Sequence, residues 1–345
     1  MKRIYFISLA IILLSRNANA LDYKYENWDF KLDADGMIGF LTPKSDDPVF
    51  IDDWDVKTQI TYRIDKTQRI GAVYSIDADS VEDKEYVHDA FLLFEDRDVG
   101  RIEFGLTHSV ARKMGLGLPD VGYLRINDKS ILYNKLDLKR VLISDTTATT
   151  GHESLRLNMA TKHTEYGQYG LSIAGPGGNF DYSVDLAAKY KQPFGKLKAA
   201  YSIAISYMDH PNGYNENSFS PIVTADYRTQ IALGFNLQYN SWIFGVSTRM
   251  IYDENPTTKT ADGIVAGTGA SYDFLNSSVS LNYLFSDTNI WHHNDKLTGA
   301  EISGDYVHTV LASFRYKYTE ETALFVSGGF ADTTPFFAVG IKSGF

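Results

Sequence analysis

The chain has 345 residues, 43 acidic side chains against 33 basic ones for a net charge of −10, no cysteine, and a mean hydropathy of −0.22. The acidic balance argues against nucleic acid as a partner, and without cysteine the fold is held by non-covalent pairing alone. No stretch approaches the ~18 consecutive apolar residues that a spanning helix requires.

The amino terminus, MKRIYFISLAIILLSRNANA, places Lys2 and Arg3 before an apolar run from Ile4 to Leu14 and ends in Ala18-Asn19-Ala20. That is the layout of a secretory signal cleaved after Ala20, so residues 1–20 are expected to be removed and the mature chain to begin at Leu21. Loss of Lys2, Arg3 and Arg16 takes the net charge from −10 to −13. No Pro/Ser-rich linker or shift in composition divides residues 21–345, which read as one domain.

Alternation runs through that domain. In WDVKTQITYRI, residues 54–64, Trp54, Val56, Thr58, Ile60, Tyr62 and Ile64 share one parity, and Asp55, Lys57, Gln59, Thr61 and Arg63 the other. Successive strand residues point to opposite faces, so this period gives a strand with one apolar and one charged face. Sixteen such segments follow in chain order: 26–40, 53–64, 69–77, 86–95, 100–107, 152–161, 168–174, 180–190, 196–207, 226–237, 242–252, 262–272, 277–286, 306–318, 322–330 and 336–345. An even number suits a closed antiparallel barrel, in which no edge is left for lipid to strand.

A soluble exported sandwich alternates in the same way, so the connections are the first test. Short links, DKTQ, DRDVG, QPFG, QYNS, DFLN and TEE, alternate with MDHPNGYNENSFSPIV, DENPTTKT and SDTNIWHHNDKLTGAEISGD. Outer-membrane barrels have this asymmetry, with tight periplasmic turns and long external loops. GPGG at 175–178 is a tight link on the long-loop side. Aromatic spacing is the second test: Trp54 with Tyr62, Tyr182 with Tyr190, and Trp242 with Tyr252 share parity eight to ten residues apart. In a tilted strand that separation climbs roughly 20–25 Å, close to the apolar band of such barrels.

The last residues, FFAVGIKSGF, alternate up to a terminal Phe345. A final strand ending on Phe resembles the insertion signal of bacterial outer-membrane proteins. Further upstream, YVHDAFLLFEDRDVGRIEFGLTH resembles the fourth and fifth strands of the Gram-negative general porin family, with VGRIEFG in place of its Gly-bounded run. The resemblance implies an all-β transmembrane barrel of 16 strands whose long connection after the fifth strand, residues 108–151, folds inward and constricts the lumen. It also implies a homotrimer in outer-membrane lipid. The family often has Arg after the second glycine of that run; here Leu106 follows Gly105, and Arg101 and Arg156 are the available substitutes.

A barrel this wide is not filled by its inward side chains, and the inward set is hydrophilic: Lys31, Asp33, Lys57, Arg63, Arg69, Glu103, Arg156, Asn158, Asp185, Arg228, Gln230, Arg249, Arg315 and Lys317. Individually these read as solvated wall residues. If the long connection turns inward, Asp120, Asp128 and Asp137 face Lys57, Arg63, Arg69 and Arg156 across the lumen and set up a transverse field. The connection also carries Arg112, Lys113, Arg125, Lys129, Lys135, Lys139 and Arg140, so the preference between cations and anions stays open.

Other patterns carry less. His292 and His293 lack a spaced ligand set, and the acidic residues Asp46, Asp47, Asp52 and Asp53 near the first external loop serve solubility as readily as calcium. GTGAS at 267–271 lies in a strand with no following helix, so small residues on a packed wall explain it better than a phosphate turn. His108 with Ser109, and His152 with Ser154, are neighbours in sequence and not positioned triads. The expected protein is a passive channel for small hydrophilic solutes and ions, with no cofactor and no catalysis. The alternative is a structural or adhesive barrel that binds partners through its external loops.

Overall fold

The computed structural model describes residues 21–43, 48–79, 84–122, 155–176, 181–209, 227–255, 258–287, 306–331 and 334–344. Strands dominate: β1 (Leu21–Tyr25), β2 (Trp28–Pro43), β3 (Val49–Arg63), β4 (Gln68–Asp79), β5 (Lys84–Asp96), β6 (Gly100–Leu106), β7 (Leu155–Thr161), β8 (Gln168–Ala174), β9 (Tyr182–Phe194), β10 (Leu197–Asp209), β11 (Tyr227–Tyr239), β12 (Trp242–Asn255), β13 (Thr258–Phe274), β14 (Ser277–Asp287), β15 (Tyr306–Lys317), β16 (Thr322–Ala331) and β17 (Thr334–Gly344). One short helix, α1 (Val110–Met114), follows β6. All sixteen expected segments are present as β2–β17, and β1 is an addition that the sixteen segments did not include.

Each strand from β2 to β16 pairs antiparallel with the next, and β17 pairs back onto β2 through Asp35–Pro43, which closes a 16-stranded barrel. β17 pairs with β2 only as far as Gly344 opposite Asp35, short of Trp28–Ala34 on that edge. β1 takes the place: after the turn at Glu26 and Asn27 it pairs Leu21 with Leu32 and Tyr25 with Trp28. The first and last strands together therefore cover one edge of β2.

Burial runs opposite to that of a soluble protein. Outward apolar side chains are bare, Leu281 at 59% and Leu186 at 53%, whereas inward Gln230 and Arg249 are at 0%. Hydrocarbon is the solvent that makes such an exterior favourable. Aromatic contacts rim the outer surface at both ends. Trp28 meets Tyr62 at 5.0 Å and Trp242 meets Tyr272 at 4.6 Å at the short-turn end, and Tyr207 lies 5.9 Å from Tyr182 and 6.1 Å from Tyr227 at the other. Amphipathic rings suit a boundary that is apolar on one side and wet on the other.

The connections sort as the lengths predicted, with one adjustment. Two-residue turns at 195–196, 240–241 and 275–276 join strands at one end, with Gly195, Asn240 and Leu275 in the left-handed region at φ of 63, 52 and 51°. At 64–67 the Asp65 carboxylate accepts from the backbone N–H groups of Thr67 at 2.7 Å and Gln68 at 2.8 Å, which hold its carboxyl below the usual range. The adjustment concerns DENPTTKT. β12 runs to Asn255 and β13 starts at Thr258, so the expected loop is mostly strand and the link is residues 256–257.

Placement of lipid on the outer face generates a test. Leu233→Arg, outward in the middle of β11, is expected to destabilise by about 2–4 kcal/mol in urea titration of protein refolded into vesicles. Gln59→Glu, inward on β3, is expected to stay within about 0.5 kcal/mol of wild type.

Candidate functional site

Beyond β6 the chain turns into the barrel. Residues 107–122, the described part of the long connection, lie on the inner face of β7–β16. Ser109 caps α1 by accepting from Arg112 N at 3.4 Å. Val110, Ala111 and Met114 pack on inward Ala187, Ala204 and Ala232. The sheet's own backbone groups are used in its ladders, so the segment's N–H groups need side-chain acceptors. Serine supplies them: Val110 N bonds Ser172 Oγ at 2.8 Å, Leu116 N bonds Ser202 Oγ at 2.9 Å and Val121 N bonds Ser280 Oγ at 3.2 Å.

Glycine supplies the room. A Cβ on Gly234 would stand 2.4 Å from Leu116 O, one on Gly245 2.4 Å from Pro119 Cδ, and one on Gly267 2.7 Å from Leu118 Cδ1. Gly267 belongs to the GTGAS stretch, which is a packed wall as its small residues implied. Further round, Gly122 sits against the hydroxyls of Ser313 on β15 and Ser327 on β16. The inward Ser and Gly positions of β8 and β10–β16 thus form a track for an extended backbone. Sequence reading did not assemble this track. Part of its signal was available, since Ser172, Ser202, Gly234, Gly245, Gly267, Ser280, Ser313 and Ser327 are small residues at inward positions, although Arg228, Gln230 and Arg249 share those strands.

The root of the segment is held by ions. Glu103 on β6 is ion-paired with Arg101, whose Nε lies 2.8 Å away, and accepts from Asn158 Nδ2 at 2.9 Å and from the Lys113 ammonium. Lys113 also donates to Thr107 Oγ1 at 2.6 Å and lies 5.0 Å above the Phe91 ring. Burial pushes the Lys113 ammonium below the usual lysine range, with the Glu103 carboxylate opposing the shift. Asn158 donates again to His108 O at 2.9 Å, so β6, β7 and the start of the segment share one network.

The expected wall residues divide between two environments. Arg156 on β7 is fully buried and bonds Asp185 at 2.8 Å, with Ser206 Oγ on the same carboxylate at 2.6 Å. Lys31, Lys57, Arg63 and Arg69 stay open on β2–β4, each beside a carboxylate: Lys31 to Asp33 at 2.7 Å, Lys57 to Asp89 at 3.6 Å, Arg63 to Asp29 at 3.6 Å and Arg69 to Glu95 at 2.8 Å. Arg101 spans Glu103 and the face of Phe91. Asp120 accepts from Ser280 Oγ on β14 at 2.9 Å, which ties it to the wall. Asp128 and Asp137 lie outside the described residues, as do His292, His293, Asp46, Asp47, His152 and Ser154. Among the described residues no group of three or more His, Asp or Glu side chains is placed to hold a metal ion.

A closed barrel with an apolar exterior and a charged interior is a transmembrane β-barrel. The sequence profile of the Gram-negative porins matches residues 20–335, and the chain belongs to that family of outer-membrane barrels. Comparison with curated protein sequences returned no match. Solved structures of similar fold include a loop L8 deletion mutant of OmpT, an outer membrane protein of Vibrio cholerae, at 11% identity and a TM-score of 0.67, covering 93% of this chain and 100% of that one. An anion-selective porin from Comamonas acidovorans is 11% identical with a TM-score of 0.64, covering 92% of this chain and 100% of its own. Salmonella typhi OmpF, in complex with daunomycin, is 13% identical with a TM-score of 0.63, covering 94% and 100%. At these identities the likeness is one of fold.

The track gives a sharp test. Gly234→Val forces the Leu116 carbonyl away and is expected to destabilise by about 1–3 kcal/mol, with new tryptic cleavage after Arg112 or Lys113. Gly175→Val, at a glycine with nothing within 4 Å of an added Cβ, is expected to change neither readout.

Proposed function

We propose that this porin is a passive, water-filled channel of the outer membrane through which small hydrophilic solutes and ions diffuse, with no catalytic step. The observation that carries the reading is the set of solvent-open charges enclosed by a closed wall, with Arg63 at 54% and Lys31 at 46% side-chain exposure on the inner face. Charged side chains in a dry, packed interior are rare unless buried in pairs, and these are wet. Lys31, Lys57, Arg63, Arg69 and Arg101 line the passage, and Arg156 serves as buried support for β7–β9. The connection after β6 sets the width, with Asp128 and Asp137 on its central part.

Residues 1–20 act as the export signal, removed after Ala20. The functional unit is a homotrimer; a trimer form of Vibrio cholerae OmpT, at 10% identity and a TM-score of 0.63, supports that assembly. Planar-bilayer recording tests the channel. Purified protein is expected to insert in discrete conductance steps, and a variant lacking residues 123–151 to give larger ones. Insertion without any conductance overturns the reading.

A further inference from the structure

Among the described residues the open cations of β2–β4 are paired with carboxylates, and the pairing bears on which solutes pass; the inference rests on the channel reading above. Three exposed pairs stand on neighbouring strands: Lys31 with Asp33, Arg63 with Asp29, and Arg69 with Glu95, at 2.7, 3.6 and 2.8 Å. Along β2 the signs alternate inward as Asp29, Lys31, Asp33, and Asp33 stands directly across from Lys57 in the β2–β3 register. Lys57 in turn lies 3.6 Å from Asp89. Arg63 and Arg69 face each other across β3 and β4, and each has its own carboxylate.

A lone wall charge would project over the Debye length, about 8 Å at physiological ionic strength, far enough to sort cations from anions across a pore. Opposite charges within contact distance cancel beyond a few times their own separation. A singly charged ion travelling mid-channel past β2–β5 therefore meets little net field from these pairs. At contact the situation differs. A monovalent ion that engages one member of a pair leaves the other bare, whereas a solute with both signs a few ångströms apart can exchange a wall pair for two complementary contacts. Exposed pairs are weak enough to open for this exchange.

We propose that the passage favours small zwitterions, solutes carrying an ammonium and an acidic group on a short spacer, over singly charged solutes of the same size, and that it separates potassium from chloride poorly. The test uses the whole protein in vesicles and planar bilayers. In a KCl gradient the permeability ratio is expected to fall within about twofold of unity. Taurine, isethionate and ethanolammonium share a two-carbon spacer and serve as zwitterion, anion and cation probes. Tracer efflux of taurine is expected to exceed both others by roughly two- to fivefold, the range of one exposed ion-pair contact.

Two surface variants test the cause. D33N/E95Q strips the partners of Lys31 and Arg69 and is expected to shift selectivity toward chloride and abolish the taurine advantage. K31Q/R69Q is expected to shift it toward potassium with the same loss. A strongly one-sided ratio in the wild type, taurine efflux no faster than the others, or selectivity unmoved in both variants overturns the inference while the channel stands. Absence of conductance overturns the channel and the inference together.

Discussion

Everything in this structure depends on one demand: a backbone amide or carbonyl in hydrocarbon has no water to bond, so each must find a partner in the sheet. The closure of β17 on β2 meets that demand over Asp35–Pro43, and β1 meets it over Trp28–Leu32. The short N-terminal hairpin is therefore part of the barrel's seal. The Glu26 turn, with φ of 53°, is the strained residue that lets the chain double back to make it.

Closure also decides what the interior can offer. With the backbone groups of the strands committed to ladders, a segment entering the lumen is held only by side chains of the wall. The structure divides the inner face accordingly. Serines and glycines on β8 and β10–β16 accept a bare backbone at close range, and Lys31, Lys57, Arg63 and Arg69 on β2–β4 remain in solvent. Between the two sectors the Glu103 network, with its Arg101, Lys113 and Asn158 contacts, fixes where the chain leaves the wall.

Charge placement then sets how far the field of the wall reaches. The expectation drawn from sequence was of opposed rows, carboxylates on the connection facing cations on the wall. Asp128 and Asp137 of that row lie outside the described residues; among those described, each of Lys31, Lys57, Arg63 and Arg69 stands beside a wall carboxylate, and Asp120 is bonded to Ser280. A row of lone charges and a row of pairs share one composition, yet their fields differ in reach, and only the coordinates of the partners tell them apart.

The amino-acid sequence by itself determined the number of strands in the ring, which parity of each meets lipid, and which end carries the short turns. Those properties are written residue by residue in a period of two, and hydropathy reads them locally. It misjudged DENPTTKT because strand ends are set by ladder partners and not by apolarity, and it passed over Leu21–Tyr25 because that stretch is only five residues long, although Asp22 and Lys24 alternate with Leu21, Tyr23 and Tyr25. The tertiary structure decided the seam, the seat of residues 107–122, the burial of Arg156 and the partners of Lys31, Lys57, Arg63 and Arg69. Each of these joins positions far apart in the chain, and only the closing of the ring brings them within bonding distance.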